Sequence, residues 1–187
     1  MLFAKDINEN QGGGKYMDVG IHTNVELTSI AVEDRWVDIN YQNSQGETIR
    51  KRVFFPEIGS TTPNDGETIA DALKRRENDE FTHLVKHMRI FMSPDEINVF
   101  SAPDLRTAAM KFQAILTPRL NTKKLNLKVI LDKDGKYAEV PKQAFNKYVE
   151  EYVEGQTPTL EFTTWELKNR TTRKPSVVDT TDDTQIY

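Results

Sequence analysis

Six consecutive residues, Arg50-Lys51-Arg52-Val53-Phe54-Phe55, set cations and aromatic rings side by side. In an extended strand successive side chains face opposite ways, so Arg50, Arg52 and Phe54 share one face and Lys51, Val53 and Phe55 the other. This mixture suits a flexible polyanion with unstacked bases. Cations follow the phosphates, and rings take base faces at ~1–3 kcal/mol per stacked base. The expectation is that the Arg50/Arg52/Phe54 face meets the ligand, with Lys51 adding charge, while Val53 and Phe55 point inward. The plain alternative for Phe54 is a second core ring.

Similar pairings recur along the chain. Tyr41 ends an alternating run that begins at Trp36, and Lys123, Lys124 and Lys128 lead into and along another. Lys136 and Tyr137 follow the turn Asp132-Lys133-Asp134-Gly135, and Trp165 precedes Lys168 and Arg170. Together these residues form the expected nucleic-acid-binding set. Each also has an ordinary reading as core ring or solvated lysine. Convergence carries the expectation, because strands two and three of a small barrel and the hairpin before its last strand frame one groove.

Catalytic readings are weaker. The chain has no cysteine, which removes disulfides, thiolate metal sites and thiol nucleophiles. His83 and His87 are four apart on an expected helix but lack the glutamate of a zincin and a third ligand. Gly12-Gly13-Gly14-Lys15 lacks P-loop spacing and its Ser/Thr, and Asp132 and Asp134 fit a hairpin better than a calcium loop. The expectation is a non-enzyme without metal or cofactor.

The elements that must position these residues follow from periodicity. Residues 1–19 read as a loose arm. Alternation then gives strands from Gly20, from Trp36 to Tyr41 and from Thr48 to Phe55, a meander of the kind that opens a small barrel. About 66–118 the spacing turns helical, with starts at Ser93-Pro94 and Ser101-Ala102-Pro103-Asp104. Strands resume at Leu125–Leu131 and Lys136–Val140, a short helix is expected over Ala144–Val153, and a last strand over Thr159–Lys168. The expected fold is mainly β with a helical insertion, an OB-type, partly open barrel of five to six strands over 20–170. Residues 171–187 form the expected disordered acidic tail.

Net charge is −4, yet it is unevenly distributed. Ser101–Lys147 holds ten Lys/Arg against four Asp/Glu, and Glu166–Pro175 four against one. Tyr148–Trp165 carries four Glu and no base, and Ser176–Tyr187 three Asp and no base. Basic segments could face a polyanion while acidic ones point elsewhere. The tail, with Asp179, Asp182 and Asp183, ends on Ile186-Tyr187 and suits docking in a basic, apolar pocket of a partner.

At this level the chain resembles bacteriophage single-stranded DNA-binding proteins with an OB-fold and an acidic, aromatic-ended tail. The resemblance rests on Gly20-Ile21-His22-Thr23-Asn24-Val25 opening the first strand, on the basic-aromatic third strand and on Asp182-Asp183…Ile186-Tyr187. It implies a protein that coats exposed single strands in replication, recombination and repair, without strong sequence preference. It also implies recruitment of replication proteins through the tail, residence in the cytoplasm of an infected bacterial cell, and possible self-association on DNA. No membrane segment is expected. Two other readings stand beside it: a β-rich phage structural or assembly protein, and an RNA-binding OB domain.

Overall fold

The computed structural model describes residues 15–172. Strand β1 (Gly20–Val32) is long because it serves two partners: Gly20–Val25 pairs with β4 (Leu125–Leu131), and Glu26–Val32 with β2 (Trp36–Gln42), both antiparallel. Just before that change, the β1–β4 ladder shifts register between His22 and Val25 at Asn24, whose φ of 56° lies in the left-handed region that Asn tolerates better than most residues. A second register shift between Leu27 and Ser29 alters which side chains point inward, so Val25, Leu27 and Ile30 are buried.

β3 (Thr48–Phe54) completes the meander against β2. The sheet runs β3-β2-β1-β4-β5, where β5 is Ala138–Glu139, and β6 (Val149–Glu151) also pairs with β4. β3 and β5 approach each other without a ladder, and the seam is bridged by Lys51 Nζ donating to Pro141 O at 2.8 Å. The result is a nearly closed six-stranded antiparallel barrel with helices, an OB-like α+β fold.

Inward-facing Val37, Ile39, Tyr41, Ile49, Val53, Leu125, Leu127 and Val129 fill the barrel. Each such burial stabilises by ~1.5–3 kcal/mol. The helices lie where the period changes: α1 (Ile69–Phe91), α2 (Pro94–Asn98) and α3 (Leu105–Leu116). Their starts are chemically marked, with Thr68, Ser93 and Asp104 side chains accepting from backbone N–H groups of the first turns. α1 and α3 cover the barrel with Leu84, Met88, Phe112 and Leu116. Among the described residues no helix is long and apolar enough to cross a membrane.

His83 and His87 of α1 are buried and satisfied rather than ligand-like. His87 Nδ1 donates to His83 O at 2.7 Å, so its Nε2 accepts from the Tyr41 hydroxyl at 2.6 Å. His83 Nε2 donates to Lys142 O at 2.9 Å, and its Nδ1 accepts from the Tyr148 hydroxyl at 3.1 Å. Burial holds both rings far below their ordinary pKa, at about 3 for His83 and about 4 for His87.

Three sequence expectations are corrected. The expected strand over Thr159–Lys168 is a turn of helix, α4 (Thr164–Asn169), because Thr163 and Glu166 form a reciprocal capping box. The expected helix over Ala144–Val153 gives way to β6, where pairing of Leu127 with Val149 buries Tyr148 and Val149 and leaves Phe145 85 % exposed. The arm ends earlier than residue 19: Met17 is fully buried, and Tyr16 bridges to Thr48.

Candidate functional site

The outer face of β2 and β3 is built row by row. Cross-strand pairing sets Ser29 beside Asn40 and Arg50, Ala31 beside Asp38 and Arg52, and Trp36 beside Phe54. Arg52 makes a two-point contact with Asp38, at 2.8 and 2.9 Å, while its guanidinium lies 4.1 Å from the centroid of the Trp36 ring. The hydrogen bonds to Asp38 raise its pKa further and hold it charged. Trp36 and Phe54 meet edge to face at 6.2 Å, and Phe54 stays 48 % exposed.

Arg50 reaches Asp38 through a single contact of 3.3 Å and is the freer cation of the two. The expected alternation of this strand therefore holds: Arg50, Arg52 and Phe54 face out, Val53 is buried, and Phe55 packs against the core.

This face borders a cleft of ≈ 580 Å³ at the β3–β5 seam, lined also by Arg76, Glu80, Val140 and Lys142. Glu80 closes one end, accepting from Phe54 N at 3.2 Å, and its carboxyl pKa is raised by desolvation. A second cleft, of ≈ 570 Å³, follows along the same seam and is lined by Tyr16, Met17, Ile49, Lys136, Tyr137 and Ala138 among others. Thus Arg50, Arg52 and Phe54 fall at one cleft, and Lys136 and Tyr137 at the next.

Three residues of the expected set are buried away from both clefts, and a fourth, Lys51, lines the first cleft though almost fully buried. Tyr41 is fully buried and bonded to His87. Lys51 is 3 % exposed and crosses the seam to Pro141, and desolvation lowers its pKa to about 8. Lys128 is 1 % exposed and pairs with Glu166 at 2.9 Å. Arg170 is 9 % exposed, its Nη1 donating to Leu131 O at 2.7 Å. The cause is shared by the last two: the chain from residue 160 to 170 lies across the outside of β4, burying both faces of that strand.

Lys123 and Lys124 remain partly exposed but are paired with Glu151 and Glu26. Trp165 and Lys168 are exposed on α4, where Arg170 lies 5.2 Å from the indole ring. None of these four lines either cleft.

The charge blocks of the chain fold largely against acids. Seven of the ten cations in Ser101–Lys147 are in ion pairs: Arg106, Arg119, Lys123, Lys124, Lys128, Lys142 and Lys147. Glu150 and Glu151 of the acidic stretch take two of them. At the seam Arg50 and Arg52 share Asp38 and Lys142 pairs with Glu139, and Arg76 joins them at a cleft that Glu80 and Glu139 also line.

Tyr16 and Arg76 carried no signal in the sequence that pointed to this seam. Tyr16 stands one residue before a buried Met, and Arg76 projects from α1. The tail residues Asp179, Asp182, Asp183, Ile186 and Tyr187 lie outside the described residues. Among the described residues no group of three or more His, Cys, Asp or Glu is placed to hold a metal ion. No protein-family model, curated protein or solved structure matches this chain.

Proposed function

We propose that this chain binds single-stranded DNA along the β3–β5 seam and the adjoining outer face of β2 and β3. One observation carries the reading: Arg50 and Arg52 stand in register with the Trp36–Phe54 pair at the lip of a cleft that also takes Arg76 and Lys142. Cations beside an exposed ring, here Phe54 backed by the half-buried Trp36, are what a phosphate backbone with splayed bases needs. The pairing of Arg50 and Lys142 with acids is no obstacle, since each side chain is more than half exposed and a guanidinium or ammonium has further N–H donors to offer a phosphate while it keeps its partner.

Coating of exposed strands during replication, recombination and repair in a phage-infected cell is the matching biological role, supported by the sequence resemblance. Recruitment of replication proteins through Ile186 and Tyr187 belongs to the same reading. The test is titration of labelled oligo(dT) with the full chain across a salt series. Affinity should fall linearly in log–log form, and Arg50→Ala should flatten the slope by about one unit without sequence preference. Absence of binding at low salt would sink the reading. A folded Arg50→Ala/Arg52→Ala protein with unchanged affinity and slope would remove this face from it.

A further inference from the structure

Tyr16 and Tyr137 are 74 % and 73 % exposed, come from segments far apart in sequence, and line one cleft of ≈ 570 Å³. Neither ring hangs on a free backbone. Tyr16 lies between two strand-like bonds, Met17 N donating to Thr48 O at 3.1 Å and Thr48 N donating to Lys15 O at 2.8 Å. The buried Met17 next to it anchors the segment in the core.

Tyr137 sits in the β4–β5 hairpin, where Asp132 N donates to Tyr137 O at 2.7 Å. The Asp132 carboxylate accepts from Lys136 N at 2.8 Å and from Tyr137 N at 3.2 Å. Gly135, at φ 71°, supplies the turn. The floor between the rings is apolar, from Met17, Ile49 and Ala138, and no ring contact between the tyrosines closes the space. Rings held on fixed backbones lose little entropy when a flat ligand stacks on them.

We propose that this cleft is a nucleobase site, in which one unstacked base of the bound strand packs against Tyr16 and Tyr137 over the Met17–Ile49 floor. The inference rests on the reading of the chain as a single-strand binder. It adds a place where the strand is gripped through a base rather than through phosphate. The site follows the cationic cleft along β3, so one strand lying on the seam meets Arg50 and Arg52 first and the tyrosines next.

The experiment compares oligo(dT) with an abasic oligomer of equal length and charge, using the full chain and its Tyr16→Ala/Tyr137→Ala and Tyr16→Phe/Tyr137→Phe variants. Both positions are on the surface, and a thermal melt confirms that each variant is folded. Loss of the rings should weaken oligo(dT) about tenfold. It should leave the abasic oligomer unchanged, and the Phe variant should bind like the parent. Arg50→Ala should weaken both oligomers alike.

Equal loss on both oligomers, or no loss on either, overturns the base site while leaving the single-strand reading standing. A parent protein that binds abasic and base-bearing strands equally overturns it too. A parent that binds neither oligomer overturns both.

Discussion

Lowering the pH from 7 to 5 should remove a large share of this protein's folding stability through His83 and His87. Desolvation holds the two imidazoles at about 3 and about 4, below the ordinary 6.5, so the folded state keeps them neutral. The neighbouring Lys51 and Lys86 act in the same direction. Below pH 6.5 the unfolded chain takes up protons that the fold refuses. Stability is thus complete above 6.5 and falls as pH drops towards the folded values. At pH 5 the unfolded histidines sit 1.5 units below 6.5, which at 1.36 kcal/mol per unit is about 2 kcal/mol each and about 4 kcal/mol for the pair.

Against a typical total of ~5–15 kcal/mol this is a large fraction. Glu67, Glu96 and Glu150, held at about 2 against an ordinary 4.5, lose most of their contribution below pH 5, while Glu80, raised by desolvation, shifts stability the opposite way as pH falls and offsets part of the loss. Urea unfolding followed by tryptophan fluorescence at pH 7, 6 and 5 measures the effect. A His83→Gln/His87→Gln variant should be less stable at pH 7 but nearly flat across the window. Wild-type stability that does not change between pH 7 and 5, or an equal decline in the variant, would refute the reasoning.

Lys128→Met alone should cost about 3–5 kcal/mol, because Glu166 is left charged and 1 % exposed, whereas Lys128→Met/Glu166→Gln should recover most of that in denaturant melts. At Asn24, whose φ is 56°, replacement by Gly should be close to neutral and replacement by Val should cost about 1–2 kcal/mol, read from thermal unfolding. On the single-strand reading, deleting residues 178–187 with their three aspartates should raise affinity for oligo(dT) about threefold to tenfold at low salt, fading as salt screens it; unchanged affinity would show that the tail does not compete with DNA. Ile186→Ala/Tyr187→Ala should leave DNA binding unchanged and abolish capture of replication proteins from extracts; full capture would show that the chain end is no docking motif.

Local pattern was readable where one strand has one wet face. The alternation of Arg50, Lys51, Arg52, Val53 and Phe54 is a direct record of in and out, and Thr48–Phe54 follows it residue by residue. Asp132-Lys133-Asp134-Gly135 was as plain, since Gly takes the positive φ that closes the turn without steric cost. Lys128 was illegible because its surroundings are set by residues 161–166, far along the chain, which turn an outward face into an interior. Glu166 shows an overlooked local signal: Thr163-Thr164-Trp165-Glu166 has capping-box spacing, and the aromatic-rich alternation around it masked a helix start. Charge blocks misled for a similar reason, as Lys123 finds Glu151 only once β4 and β6 are paired.

The division of β1 between two partners orders the assembly of the barrel in time. Its second half meets β2 across a connection of residues 33–35, and β2 meets β3 across residues 43–47, so the meander can form from neighbours in sequence. Its first half must wait for β4, pairing Gly20 with Val129 after α1, α2 and α3 have been synthesised. Short loops close early and long ones late, because the entropy of closure comes before the reward of contact. On a growing chain the meander therefore stands for a time with its Gly20–Val25 edge unpaired. The seam beside β3, which needs β5 and Pro141, forms later still, and the cover of residues 160–170 over β4 comes after it.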